Sequence, residues 1–260
     1  MAEIYETLKA SLAQERAVAL ATLVGGGGSI GAKLLVFSDG ATQGTLGSVQ
    51  LDARVAGDAR DMIWRGEAKT ITYPPEAGAD ASSSAEAAEV FIEAFPPSPK
   101  VVIVGAGHIA IPLTTFAKTL GYRVIVVDAR ATFATRERFP HADEVICEWP
   151  DEVLRKMPLH VATAAAVLTH DPKFDEPTLR VLLNSDVSYI GAIGSRKTSQ
   201  ERNERLRQQG ITDEQIARIH APIGLNIGAV SPEEMALAIM AEIVAARHGR
   251  ERSAAAWQTK

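Results

Sequence analysis

Hydrophobic and polar positions follow two rhythms along this chain, and the change comes near residue 97. Before it, Ile4, Leu8 and Leu12 recur at four-residue spacing and predict an amphipathic helix over 3–14. Val18–Val24 and Lys33–Phe37 read as strands around a Gly25–Gly28 loop, and Ser38-Asp39-Gly40 reads as a tight turn. Leu51, Val55, Met62 and Ile63 predict a helix over 49–64, interrupted at Gly57. Glu89-Val90-Phe91-Ile92-Glu93 is expected to be the strand that closes this part.

Beyond residue 97, short aliphatic runs without period-two alternation stand at Val101–Val104, Val124–Val127, Glu144–Ile146, Ala165–Leu168 and Ser188–Ile190. Runs of that kind suit strands buried on both faces. Helical patterns lie between several of them, over 108–120, 176–184 and 197–208. Such alternation predicts an α/β fold with a doubly wound parallel sheet, beside a smaller N-terminal α+β domain. Ser231-Pro232-Glu233-Glu234 supplies an N-cap, a proline at N1 and a glutamate at N3 for a last helix through the Met235–Val244 run. The expected domains are 1–96 and 97–260. Residues 74–86 are linker-like, and Pro96-Pro97-Ser98-Pro99 is a stiff spacer with few backbone donors.

Composition narrows the classes. The 260 residues are 46% hydrophobic and 23% charged, with a formal net charge of -5, as in ordinary well-cored proteins. No block of lysines and arginines could grip a phosphate backbone, so nucleic acid is not an expected partner. The longest apolar runs fall far short of the roughly 20 residues that span a bilayer. The N-terminus shows no basic segment leading into an apolar one, and the lone Cys147 excludes an internal disulfide. A cytoplasmic protein in a reducing compartment is expected. The six histidines and single cysteine show no ligand spacing, so no protein-ligated metal is expected.

The candidate chemistry gathers where aliphatic strands end. Gly105-Ala106-Gly107-His108-Ile109-Ala110 follows one strand, opens a helix and leads to a second strand ending at Asp128, 21 residues after Gly107. This is the pattern of a Rossmann-type dinucleotide-binding unit. Gly105 permits the tight turn, Gly107 lets backbone approach a pyrophosphate, and Ala110 lets helix and strand pack closely. The helix start offers unpaired N–H groups to phosphates. Asp128 is the expected ribose ligand and favours NAD over NADP, a preference softened by Arg130. His108 can contact a phosphate or act as an acid–base group. Thr169-His170-Asp171 and Gly194-Ser195-Arg196 follow two further strands on the ligand-binding edge, and the second suits an anion. The candidate catalytic groups are His108, His170 and Asp171; no catalytic role is assigned beyond them.

Several segments together resemble the xanthine dehydrogenase accessory protein (XdhC/CoxI) family. They are Gly105-Ala106-Gly107-His108, Leu168-Thr169-His170-Asp171, Tyr189–Arg196 and Ala221–Ala229 running into Ser231–Ala236. The resemblance implies a chaperone that binds molybdenum cofactor, aids its sulfuration and hands it to a xanthine or carbon monoxide dehydrogenase. It also implies a cysteine desulfurase as a candidate further partner; a homodimer is expected on base rates alone. The cofactor would be molybdopterin, in plain or dinucleotide form, or else NAD(H). The first domain departs from the family pattern: Gln50 stands where many members carry a cysteine, the adjoining glycine pair is absent, and Asn226 replaces an aspartate. Cys147 follows a strand on the ligand-facing edge, where it could substitute for that cysteine, but it is read as a small core residue. Two rival readings are an NAD-dependent oxidoreductase, and a degenerate paralogue that only binds a partner enzyme.

Overall fold

The structure, a computed structural model, describes residues 2–26, 28–75 and 87–249, so residues 76–86 of the expected linker lie outside it. By internal packing the chain divides into two compact units, Met1–Pro97 and Ser98–Lys260.

The first unit runs α1 (Ala2–Ala13), β1 (Val18–Gly25), β2 (Lys33–Phe37), β3 (Thr42–Thr45), α2 (Val49–Ile63), β4 (Ala68–Tyr73) and β5 (Ala88–Phe95). Its antiparallel sheet has the order β3-β2-β1-β5-β4. Side chains alternate across β1, as the pleat requires. Ala19, Ala21 and Leu23 pack with Val55, Ala59, Met62 and Ile63 of α2, whereas Val18 and Leu20 face Ile4 and Leu8 of α1. Leu12, expected on the buried stripe, is 44% exposed because the helix ends there. Gly57 does not interrupt α2; it lies on the solvent face, where it costs only about 1 kcal/mol against alanine. The hydrophobic pattern did not predict β3 or β4. Both are edge strands with largely exposed, polar residues, so nothing in that pattern announced them.

The second unit runs β6 (Lys100–Val104), α3 (Ala110–Thr119), β7 (Arg123–Val127), β8 (Glu144–Ile146), α4 (Pro150–Lys156), β9 (Thr163–Val167), α5 (Pro172–Leu183), β10 (Tyr189–Ala192), α6 (Arg196–Gln208), α7 (Asp213–Ala217), β11 (Ile219–His220) and α8 (Pro232–Arg247). The sheet is parallel throughout, in the order β11-β10-β9-β6-β7-β8. Along β6, Val101 and Ile103 enter a core with α3 and α8, while Val102 and Val104 enter another with α4 to α7. Strands covered on both faces read as unbroken aliphatic runs for that reason. Helix α5 starts four residues before its expected position, because Asp171 caps it and Pro172 occupies N1. At α8 the capping box is present as expected: Ser231 accepts from the Glu234 N–H, and Glu234 reaches back to the Ser231 N–H.

Candidate functional site

The strand order reverses direction about β6: the chain passes from β6 to β7 on one side, then returns to β9 on the other. Open α/β sheets bind ligands at such a point, beyond the carboxyl ends of the strands. Three segments meet there: the glycine turn after β6, Thr169–Asp171 after β9, and Gly194–Arg196 after β10. They line two adjoining cavities of about 640 and 930 Å³, which share Ile109, His170 and Ile193.

The two glycines of the turn meet different demands. Gly105 has φ +99°, and a Cβ there would lie 2.6 Å from Thr169 Cγ2 and 3.1 Å from Leu168 C. Only glycine fits this position. Gly107 has no such need: its φ lies outside the left-handed region, and a Cβ would meet no atom within 4 Å. Its missing side chain leaves open space in the smaller cavity, a cradle that a Cβ would partly fill. No side chain caps the helix α3 that follows, so its first N–H groups remain open to a ligand. This fits a phosphate-bearing cofactor, which Gly107, His108, Ile109 and Ala110 would hold.

Asp128, expected to hold a ribose, is 2% exposed and already engaged. Its carboxylate accepts from the Ala106 N–H (2.8 Å), the Arg130 N–H (2.9 Å), Arg130 Nε (2.9 Å) and Arg130 Nη2 (2.7 Å). Burial alone would raise its pKa, but these hydrogen bonds prevail and hold it below the usual carboxylate range. Arg130, with its Cζ 4.2 Å from the Phe133 ring centre, lines the smaller cavity instead.

After β9, the Thr169 hydroxyl bonds to the buried Asp175 carboxyl. Burial pushes the Asp175 pKa up to about 6, although the Thr169 bond and the Arg202 charge oppose the rise. His170 and Asp171 are exposed on the cleft; Asp171 also caps α5 by accepting from Lys173 N at 3.0 Å. After β10, Ser195 caps α6 through the Thr198 N–H, and Arg196 is exposed on the larger cavity. All the sequence-predicted residues apart from Gly105 and Asp128 therefore line one cavity or the other.

Motif reasoning did not place the loop between β11 and α8 in the site. Pro222–Ala229 forms the other wall of the larger cavity. This loop packs on Gly191, where a Cβ would lie 2.5 Å from Ile223. Glu242 of α8, 2% exposed, holds the loop from below. It accepts from Gly224 N (2.7 Å) and Tyr189 Oη (2.7 Å), and its Oε1 lies 3.2 Å from His220 Nδ1. One signal was available: a lone acid within the apolar run of a helix must have buried partners.

Residues 101–243 match the XdhC Rossmann domain, and residues 11–74 match the XdhC and CoxI family. The chain belongs to this family. It is 34% identical to a probable xanthine dehydrogenase component of Bacillus subtilis (strain 168) over 158 residues, 61% of this chain and 46% of the relative. It is 32% identical to the molybdenum cofactor insertion chaperone PaoD of Escherichia coli (strain K12) over 89 residues, 34% of this chain and 28% of the relative. The match therefore spans less than half the length of these relatives. A crystal structure described as a xanthine dehydrogenase from Bacillus halodurans shares the fold, with a TM-score of 0.54 at 22% identity over 96% of this chain and 97% of that chain.

Within this XdhC/CoxI chain, the position of the first unit's missing cysteine is an exposed one: Gln50 lies in the first turn of α2. Cys147 is exposed rather than a core residue, because β8 is a half-buried edge strand and Cys147 follows its end. Among the described residues, no group of three or more His, Cys, Asp or Glu could hold a metal ion, and no helix is long and apolar enough to cross a membrane.

Proposed function

We propose that this chain is a molybdenum-cofactor chaperone: it holds the cofactor in the cleft of its second unit and assists the maturation of a xanthine or carbon monoxide dehydrogenase. The observation that carries the reading is Gly107, whose missing side chain the fold does not need and whose place opens onto the cavity. Gly107 and the open start of α3, where backbone N–H groups and the helix dipole favour an anion, would hold the phosphate of the cofactor. The larger, more apolar cavity, lined by Ile193, Ile223, Leu225 and Ile239, takes a flat ring system. His170, shared by both cavities, stands at their junction. The metal arrives chelated by its pterin, so the protein supplies no metal ligands. The family relationship, and the likeness to an insertion chaperone over 89 residues, support this role. A molybdenum hydroxylase is the partner, with a cysteine desulfurase supplying sulfur, and the protein acts in the cytoplasm as a homodimer.

A second reading, a protein that only binds its partner enzyme, draws on Gln50: a carboxamide cannot ligate molybdenum or relay sulfur as a thiolate does. Calorimetric titration with NAD and with purified molybdenum cofactor decides between them. Cofactor binding that Gly107→Val abolishes supports the chaperone. Binding of NAD alone transfers the cleft to a nicotinamide cofactor, and no heat with either leaves the partner-binding reading.

A further inference from the structure

The wall formed by Pro222–Ala229 bends twice. Gly224 and Gly228 both have left-handed backbone, with φ +90° and +76°. At Gly224 the bend lies close on α8, where a Cβ would be 3.1 Å from Ile239 N and 3.2 Å from Ala238 Cβ. The stretch between the bends is tied on each side of Asn226. Leu225 N donates to Ala238 O (3.1 Å), and Ile227 N donates to Leu225 O (2.9 Å). Asn226 is thus the apex of a tight turn with fixed ends, and it lines the larger cavity.

That cavity has no carboxylate among its lining residues. Its polar side chains besides Asn226 are His170, Ser195 and Arg196. The Ser195 hydroxyl is committed to the start of α6 and to Thr198. An imidazole sets its two nitrogens on separate sides of the ring, and a guanidinium only donates. Asn226 is exposed and makes no hydrogen bond with another described residue. Among the described residues of the cavity, its carboxamide is the side chain that shows a donor and an acceptor side by side.

In an apolar cavity a few fixed polar groups decide how a flat ring lies. A carboxamide pairs in one plane with a ring edge that carries N–H beside C=O. Against an edge with two donors, its own NH2 meets one of them and a bond is lost. A carboxylate has the reverse preference, since it only accepts.

We propose that Asn226 is a specificity-determining residue: it selects a fused pyrimidine ring by its lactam edge, N–H beside C=O, and leaves the amino group on the other side of that N–H unread. The inference rests on the reading of the cleft as the cofactor site, and it names the part of the cofactor's ring that the larger cavity recognises.

The test is calorimetric displacement of molybdenum cofactor from the full chain by two rings that differ only at that amino group. They are pterin, and lumazine, in which an oxo group replaces it. The wild type should bind the two within about twofold of each other, because both carry the lactam edge. Asn226→Asp should favour pterin by about tenfold or more, since the carboxylate accepts from the amino group and the ring N–H together and repels the second carbonyl of lumazine. Asn226→Ala should weaken both rings by about fivefold or more. Melting curves of both variants should match the wild type, because the side chain ties nothing in the fold. A wild-type preference of about tenfold for pterin would mean that the amino group is read, and overturns the proposal. Undiminished binding to Asn226→Ala also overturns it. If neither ring competes while the cofactor still binds and Gly107→Val abolishes that binding, the role of Asn226 fails and the cleft reading stands. If the wild type binds no cofactor, the cleft reading fails and this inference falls with it.

Discussion

The two walls of the cleft are held by opposite means. The glycine turn after β6 is shaped by what is missing: Gly105 has no side chain so that Thr169 can approach, and Gly107 none so that space remains. The loop after β11 is shaped by an added group, the buried carboxylate of Glu242, which ties Gly224, Tyr189 and His220 together. The contrast separates close packing from buried polar bonding as ways to fix a loop. It also separates a residue the fold requires from one that only a ligand would require.

The comparison can be broken at four places, the largest effect first. Gly105→Val should cost about 3–5 kcal/mol, since it adds a clash with Thr169 to a backbone angle valine avoids. Urea unfolding measures this, and a stable variant would refute the packing account of that wall. Glu242→Leu should cost about 2–4 kcal/mol by leaving the Tyr189 hydroxyl and the Gly224 N–H buried without their acceptor. Tyr189→Phe, which deletes a donor instead, should cost about 1 kcal/mol.

The third place is Asp175, beneath the glycine-turn wall. Its folded pKa of about 6 lies above the ordinary 3.8, so the folded protein binds the proton more tightly than the unfolded chain does. Stability from this group grows as pH falls from about 6 towards 3.8 and is absent above that window. The contribution is roughly 1–3 kcal/mol. Asp128 acts in the opposite sense: its lowered pKa gives stability above 3.8 that is lost as pH falls further. Melting temperature should therefore rise from pH 7 to about 5 and then drop in stronger acid. Asp175→Asn should remove the rise and keep the drop; a rise that persists would assign it to another group. The smallest effect on stability is expected from Gly107→Val, within about 0.5 kcal/mol, because its side chain enters open space. An unfolding cost comparable to that of Gly105→Val would erase the distinction between the two glycines.

Much of this was legible in the residues. The aliphatic runs of the second unit announced their strands because burial on both faces leaves no polar positions to confuse the pattern. The edge strands β3 and β4 were not legible, since an exposed strand has no apolar face to display. In the site, Thr169–Asp171 and Gly194–Arg196 could be chosen because polar groups directly after a buried strand must face the sheet's edge. The Pro222–Ala229 wall could not. Its loop reaches the cleft only because Gly191 lets Ile223 settle on β10 and Glu242 holds Gly224, contacts between residues far apart in sequence.

Sequence alone determined the aliphatic strands of the second unit, the cap of α8 and the position of the glycine turn, all of which depend on neighbours within a few residues. The availability of each group to a ligand was decided in three dimensions. Asp128 looks like a ribose ligand when counted along the chain, yet the fold commits its lone pairs to Ala106 and Arg130. Spacing can bring a carboxylate to the right strand end, but only the surrounding donors settle whether its oxygens remain free.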